Sequence, residues 1–125
     1  MGVFKPRLFR IAAWSSLSVL AYLSLIPAEY EVRTGGPGGL EHFAAYFGTG
    51  FLFGFGYPAH HIRILLGLVL YGSLMEVLQF IPPDRHPSID DALNSGAGAI
   101  LGTMTAAFLA RHVAHDLKKS SARFD

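Results

Sequence analysis

Four long apolar blocks dominate the chain, and most of the polar residues lie between them. The blocks cover residues 11–28, 43–59, 64–81 and 92–110, and Glu76 is the single charged residue inside them. Within the blocks, polar residues do not recur at the 3.6-residue period that a soluble helix needs on its outward face. Each block can cross a hydrocarbon layer of about 30 Å at about 1.5 Å per residue. The pattern predicts an all-α, polytopic membrane protein with four transmembrane helices.

Prolines mark the ends of the first three helices, because proline lacks an amide hydrogen and disfavours helical geometry in the residue before it. They are Pro27, Pro58 and the pair that begins at Pro82. The last helix begins after Ser88, a residue type that often caps helices. The short link of residues 59–63 requires the helices on either side of it to be antiparallel neighbours. We predict a single domain, residues 1–125, with an antiparallel bundle of helices over residues 9–26, 40–57, 62–81 and 88–112.

Composition and the positions of the basic residues add a location and an orientation. Only 15% of the residues are charged, whereas soluble domains carry about 25%. Of the ten Lys and Arg residues, all but Arg33 and Arg85 precede the first apolar block, follow the fourth, or lie between the second and third blocks. The positive-inside rule then predicts cytoplasmic termini in a multi-pass protein of the inner membrane. The net charge of +1 indicates no nucleic-acid partner, so the bilayer itself is the first expected partner.

Two pairs of glycines at four-residue spacing lie in the predicted helices two and four. They are Gly50 with Gly54, and Gly98 with Gly102. Such strips allow two helices to approach closely in a membrane, so they predict close helix packing and also permit self-association. The glycine-rich segment 34–39 lacks the neighbours of a phosphate-binding loop and is predicted to be a flexible connector.

The predicted topology gathers the unusual polar residues in one layer at the external side of the membrane. Two of them, Glu41 and Asp90, are explained simply by the preference of helix N-termini for anions, and Asp91 has the alternative of a capping pair with Ser88. The candidate ligand-binding residues of this layer are His42, Tyr46, Glu76, Gln79, Arg85, Asp91 and Ser95.

Glu76 needs a specific explanation, because it lies more than one turn inside the third helix. A carboxylate at this depth must be paired, protonated or exposed to water. The planar guanidinium of Arg85 can hold two carboxylates at once. We therefore predict a Glu76–Arg85–Asp91 network, surrounded by Gln79, His42 and Tyr46.

The order and spacing of these residues resemble a known family. The pattern is Glu41-His42-x3-Tyr46, then Glu76-x-x-Gln79-x5-Arg85-x5-Asp91, then Gly98-x-x-x-Gly102. It resembles the VanZ-like family, named after a teicoplanin-resistance protein, over about residues 40–102. The resemblance implies a small polytopic membrane protein and, for some members, antibiotic resistance in the form of reduced susceptibility to glycopeptides. The sequence departs from the family at Ser95, where Asn is usual, and Asn94 points about 100° away around the helix.

Three functions remain as hypotheses. The first is a pocket that binds or modulates a cell-envelope component, such as an anionic lipid or the head of a lipid-linked cell-wall precursor, with Arg85 gripping an anionic oxygen. The second is an enzyme acting on an envelope lipid headgroup, with Glu76 or His42 as the base. The third is a purely structural or assembly subunit, in which the polar layer locks the helices together.

A metal centre is a variant of the enzyme hypothesis. Its ligands would be His42, Glu41, Glu76 and Asp91. The layer contains no His-x3-His spacing, and the positive charge of Arg85 would repel a cation. We therefore expect neither a metal nor another cofactor.

Overall fold

The computed structural model describes residues 5–31 and 38–124, and this part of the chain is entirely helical. In chain order the elements are α1 (Pro6–Leu25), a short 3-10 helix (Ala28–Tyr30), α2 (Gly38–Gly56), α3 (His61–Leu78) and α4 (Ile89–Ser121). The described residues contain no strand, so the all-α class is confirmed. Arg33 and most of the predicted connector lie outside the described residues.

The helix ends differ from the predicted ones by three residues or more at three places, and by one or two residues elsewhere. The helix α1 begins at Pro6, before predicted residue 9, with the proline in the first turn, where its missing amide hydrogen costs nothing. The helix α3 ends at Leu78 rather than at residue 81, because Pro82 and Pro83 cannot donate to the carbonyls of residues 78 and 79. The helix α4 continues past residue 112 to Ser121, since no glycine or proline interrupts the polar end of the sequence.

The helices α2 and α4 form the centre of the bundle, with α1 packed mainly on α2 and α3 mainly on α4. The start of α1 lies beside the end of α2, where Arg10 Nε donates to the Gly56 carbonyl at 2.6 Å and the guanidinium lies over the Tyr57 ring. At the opposite end, the Ala28 amide donates to the Pro83 carbonyl at 3.4 Å. The ends of α1 and α3 and the starts of α2 and α4 therefore meet, and we call this region the polar end.

Both glycine strips lie in the contact between α2 and α4, where each faces other residues of the opposite helix. A Cβ atom on Gly98 would overlap the carbonyl of Phe43, and one on Gly102 would overlap the carbonyl of Phe47. A Cβ atom on Gly50 would likewise lie 2.7 Å from a carbonyl oxygen of α4. The predicted close packing of these helices is confirmed. Self-association stays a prediction, and it would need another surface because both strips are buried in this contact.

Three helices, α1, α3 and α4, are long and apolar enough to cross a membrane. Their outward faces carry large apolar side chains that the rest of the chain leaves exposed, such as Trp14, Leu70 and Phe108. Exposed apolar side chains in this number need lipid or another apolar partner. These properties indicate a membrane protein, in agreement with the sequence.

Candidate functional site

The site is organised around Glu76, a carboxylate in the last turn of α3 with 8% of its surface exposed. Its Oε2 accepts a hydrogen bond from the backbone amide of Ser88 at 3.0 Å. Ser88 is the N-cap residue of α4, and its own side chain makes no capping hydrogen bond. In a capping box this amide would donate to the third helical residue, Asp91. Glu76 therefore takes the place of Asp91 in the predicted capping pair and leaves the Asp91 carboxylate for other contacts.

His42, near the start of α2, lies between two carboxylates from two other helices. Its Nε2 is 3.8 Å from Glu76 Oε1, and its Nδ1 is 3.7 Å from Asp91 Oδ1. Both separations are longer than a hydrogen bond. We call His42, Glu76 and Asp91 the triad, since one ligand atom from each lies within 4.8 Å of the other two.

Arg85 points away from the triad and toward the end of α1. Its Nη1 donates to Glu31 Oε1 at 2.7 Å, and its Nε donates to the Ile26 carbonyl at 2.9 Å. A third donor, Nη2, reaches the carbonyl of Leu23. The last carbonyls of a helix have no partner within the helix, so the buried guanidinium serves as a cap for α1.

The predicted network in which Arg85 holds Glu76 and Asp91 is therefore wrong. The physical reason is competition for the same donors, because open carbonyls and a third carboxylate lie within reach of the guanidinium. In the structure, Ser88 and His42 are the neighbours of Glu76 instead.

Sequence reasoning missed Glu31, the acidic partner of Arg85. It follows the 3-10 helix Ala28–Tyr30, which was not predicted either. The only available signal was that a glutamate and an arginine both belong to connections at the same end of the bundle. No spacing rule links two residues in different loops.

The loop between α3 and α4 directs Arg85 toward α1. Asp84 has a φ of 59°, the left-handed conformation that Asp adopts more readily than most residues. The preceding Pro83 accepts the amide of Ala28, which fixes the loop against the chain that leaves α1. The turn at Asp84 thus lies between Pro83 and Arg85, which both contact the chain at the end of α1.

A cavity of about 80 Å³ opens beside the triad and contains most of the ionisable groups at the polar end. Four carboxylates and one guanidinium line it, and that guanidinium is already paired with one of the carboxylates. The described lining is therefore acidic. It consists of Glu31, Glu41, His42, Gln79, Asp84, Arg85, His86 and Asp91.

A second cavity, of about 110 Å³, adjoins the first on the side of α1. His42, Gln79 and Arg85 line both cavities, and the predicted site residue Tyr46 lines only the second. Tyr46 is almost completely buried, so it forms the floor of this cavity. The structure thus brings most of the predicted ligand-binding residues to one place.

Ser95 lies deeper than either cavity. A Cβ atom on Gly72 would be 3.3 Å from Ser95 Cβ and 3.2 Å from Tyr46 Cε1, so Ser95 belongs to the contact between α3 and α4. The neighbouring Asn94 does not replace it, because its Nδ2 donates to the Asp90 carbonyl at 2.8 Å. The predicted role of Ser95 in binding a ligand thus has no support from its position.

No family model, curated protein or solved structure matches the chain. The resemblance to the VanZ-like family therefore stays a prediction from the residue pattern, and the function has to be argued from the geometry of the site.

Proposed function

We propose that the chain is a VanZ-like protein of the cytoplasmic membrane with four spans, cytoplasmic termini and an external pocket that binds the polar head of a cell-envelope component. The observation that carries this proposal is the acidic cavity beside the buried triad. The outer faces of the bundle are apolar and suited to contact with lipid tails. A polar cavity at one end of such a bundle therefore lies at the level of the lipid headgroups.

The proposed orientation is supported by the basic residues at the opposite end of the bundle. Arg10 and Arg63 lie near the starts of α1 and α3, Arg111 of α4 lies beside the link before α3, and the basic residues after Arg111 continue along α4. An excess of Lys and Arg is typical of the cytoplasmic side. The proposed fourth span is α2, which packs between α1 and α4 and runs antiparallel to α1 and parallel to α4.

The lining of the cavity favours a ligand rich in hydrogen-bond donors. Asp84 and Asp91 contribute carboxylates, whereas the donors of Arg85 bind Glu31 and two backbone carbonyls. Carboxylates accept hydrogen bonds and attract cations. We therefore propose a headgroup with hydroxyl or ammonium groups, and we no longer assign Arg85 the role of gripping an anionic oxygen.

A lipid-linked cell-wall precursor fits this chemistry, because its head carries sugar hydroxyls and amines. If the pocket binds such a precursor, the amount of the protein in the membrane changes susceptibility to glycopeptides such as teicoplanin. This consequence follows from the family resemblance.

Native mass spectrometry of the protein extracted with its own lipids tests the proposal. Wild type should retain a specific lipid adduct, and Asp91→Asn should lose it because the variant removes a carboxylate from the cavity wall. The matched control is Asp90→Asn, which makes the same change at the exposed neighbouring residue and should keep the adduct. Absence of an adduct from wild type, or its equal retention by both variants, would refute the proposed pocket.

An acid–base enzyme is the second candidate, and the imidazole of His42 between two carboxylates favours it. Such an arrangement is typical of groups that exchange protons with a substrate. In that case Glu76→Gln should abolish turnover of the headgroup but leave the lipid adduct in place.

A further inference from the structure

The triad consists of three side chains whose types bind metal ions, and their ligand atoms lie close together. We infer that His42, Glu76 and Asp91 bind one divalent transition-metal ion, with Zn²⁺ as the representative ion. This inference rests on the proposed function in one respect, because the ion would form part of the wall of the headgroup pocket. It also reverses the sequence-based expectation that the site holds no metal.

The distances between the three side chains suit a small ion better than direct hydrogen bonds. Zinc bonds of about 2.0–2.2 Å place neighbouring tetrahedral ligand atoms roughly 3.3–3.5 Å apart. In the structure the shortest separations are 3.8 Å from His42 to Glu76 and 3.7 Å from His42 to Asp91. They are longer than hydrogen bonds and only a few tenths of an ångström longer than the separations around a bound ion.

The two shortest separations involve different nitrogens of the His42 ring. One ion binds one of these nitrogens, so the ring must present the same atom to both carboxylates. Single atoms of the three residues already lie within 4.8 Å of one another. A rotation of the His42 side chain, with an approach of up to about 1.3–1.5 Å between the most distant ligand atoms, completes the set at the spacing that zinc requires.

The environment of Glu76 provides a second, independent observation. The side chain is nine-tenths buried, and its Oε1 faces His42 at more than hydrogen-bond distance, while Oε2 accepts the Ser88 amide. A buried carboxylate must be compensated by charge or hydrogen bonds. Two carboxylates face one imidazole here, and a divalent cation between them would supply the missing positive charge.

In the structure, the positive charge of Arg85 is compensated and does not oppose a cation at the triad. The guanidinium is neutralised by Glu31 and held by carbonyls of α1. The amide of Ser88 takes a supporting position instead, because it fixes one oxygen of Glu76 and thereby orients the other. Partners of this kind are typical of metal ligands.

Three protein ligands leave at least one coordination position for water or a ligand oxygen. The cavity of about 80 Å³ is lined by His42 and Asp91 and gives access to this position. One imidazole with two carboxylates suits Zn²⁺ or Mn²⁺ better than the thiophilic Cu(I). An ion here could bind a hydroxyl or phosphate oxygen of the headgroup directly.

Zinc titration of the full chain tests the inference. The protein is purified in detergent, treated with a chelator, and titrated with Zn²⁺ by calorimetry, and bound zinc is then measured by elemental analysis. Wild type should bind about one Zn²⁺ per chain. His42→Gln, Glu76→Gln and Asp91→Asn should each weaken binding at least about 100-fold, since even the partners of metal ligands contribute about 10–100-fold.

Two controls separate the triad from other surface ligands. Asp90→Asn changes an exposed carboxylate next to Asp91, and the double variant His112→Gln with His115→Gln removes a histidine pair on the exposed part of α4. Both controls should bind Zn²⁺ as tightly as wild type. Zinc bound with equal affinity by all triad variants, or zinc lost from the double variant, would overturn the inference.

His42 and Asp91 are both partly exposed, so their variants test the inference even if Glu76→Gln fails to fold. X-ray absorption of the zinc-loaded wild type should show one imidazole among oxygen neighbours. A shell with several imidazoles would assign the ion to surface histidines and overturn the inference.

The metal inference and the headgroup proposal fail in different ways. If zinc does not bind but Asp91→Asn removes the lipid adduct, the pocket stands and the metal site is refuted. If zinc binds to the triad but wild type carries no adduct, the metal site stands and the headgroup proposal is refuted. Absence of both zinc and adduct refutes both.

Discussion

The carboxylate of Glu76 accepts the backbone amide of Ser88 at 3.0 Å, so a residue at the end of α3 caps the start of α4. This contact joins two helices across a loop that contains three prolines. It also explains how a buried charge is held in an apolar helix, because the charge meets an amide that α4 itself cannot satisfy.

The first prediction distinguishes the hydrogen bond that Glu76 makes to the Ser88 amide from the negative charge of Glu76. Glu76→Gln keeps an oxygen that can accept the Ser88 amide, whereas Glu76→Ala leaves the amide without a partner. We expect Glu76→Ala to lower the free energy of unfolding by about 1–3 kcal/mol more than Glu76→Gln does. Equal thermal stabilities of the two variants in detergent would contradict the capping role.

The second prediction concerns the attachment of α1. Arg85→Ala removes a buried guanidinium and leaves Glu31 without this partner, so it should destabilise the protein by about 3–5 kcal/mol. The control is Arg63→Ala, an exposed arginine at the opposite end, which should change stability little. Thermal unfolding in detergent measures both, and similar unfolding midpoints would rule out the capping of α1 by Arg85.

The third prediction tests the contact between α2 and α4. Gly98→Ala and Gly102→Ala would drive a methyl group into a carbonyl of α2, and we expect each to cost about 1–3 kcal/mol or more. Gly96→Ala is the matched control in the same helix, because its Cβ would meet only a Val69 methyl at 4.0 Å. Unfolding measurements that do not distinguish Gly96→Ala from the other two would show that α2 and α4 are not in close contact.

The fourth prediction tests the proposed orientation by thiol labelling. The chain contains no cysteine, so a single introduced cysteine is the only thiol. In intact cells, a membrane-impermeant maleimide should label His86→Cys at the polar end but not Ser121→Cys at the end of α4. Labelling of Ser121→Cys alone would place the polar end in the cytoplasm.

The sequence predicts the helices of this protein well because their causes are local. Apolar blocks and proline positions determine where helices run, and the spacing of Gly98 and Gly102 predicts the face that approaches α2. Antiparallel order then places His42, Glu76 and Asp91 in one layer. These conclusions follow from short-range patterns and from connections of limited length.

The contacts within the polar layer were less predictable. Arg85 has a long side chain with several possible partners, and its actual partners are backbone carbonyls and Glu31 in another loop. The main contact of Glu76 is a backbone amide, which a comparison of side-chain types does not reveal. Predicting such contacts requires the relative positions of loop backbones, and these depend on the packing of the whole bundle.

The cap on α1 has a consequence for how the protein is made. Arg85 follows α3 in the chain, so it emerges from the ribosome only after three of the four helices have been synthesised. Until then the last carbonyls of α1 have only water or lipid headgroups as partners. The end of α1 is therefore capped only after α3 has been synthesised, whereas the contact of α1 with α2, which includes Ser16 with Thr49 at 2.6 Å, can form earlier.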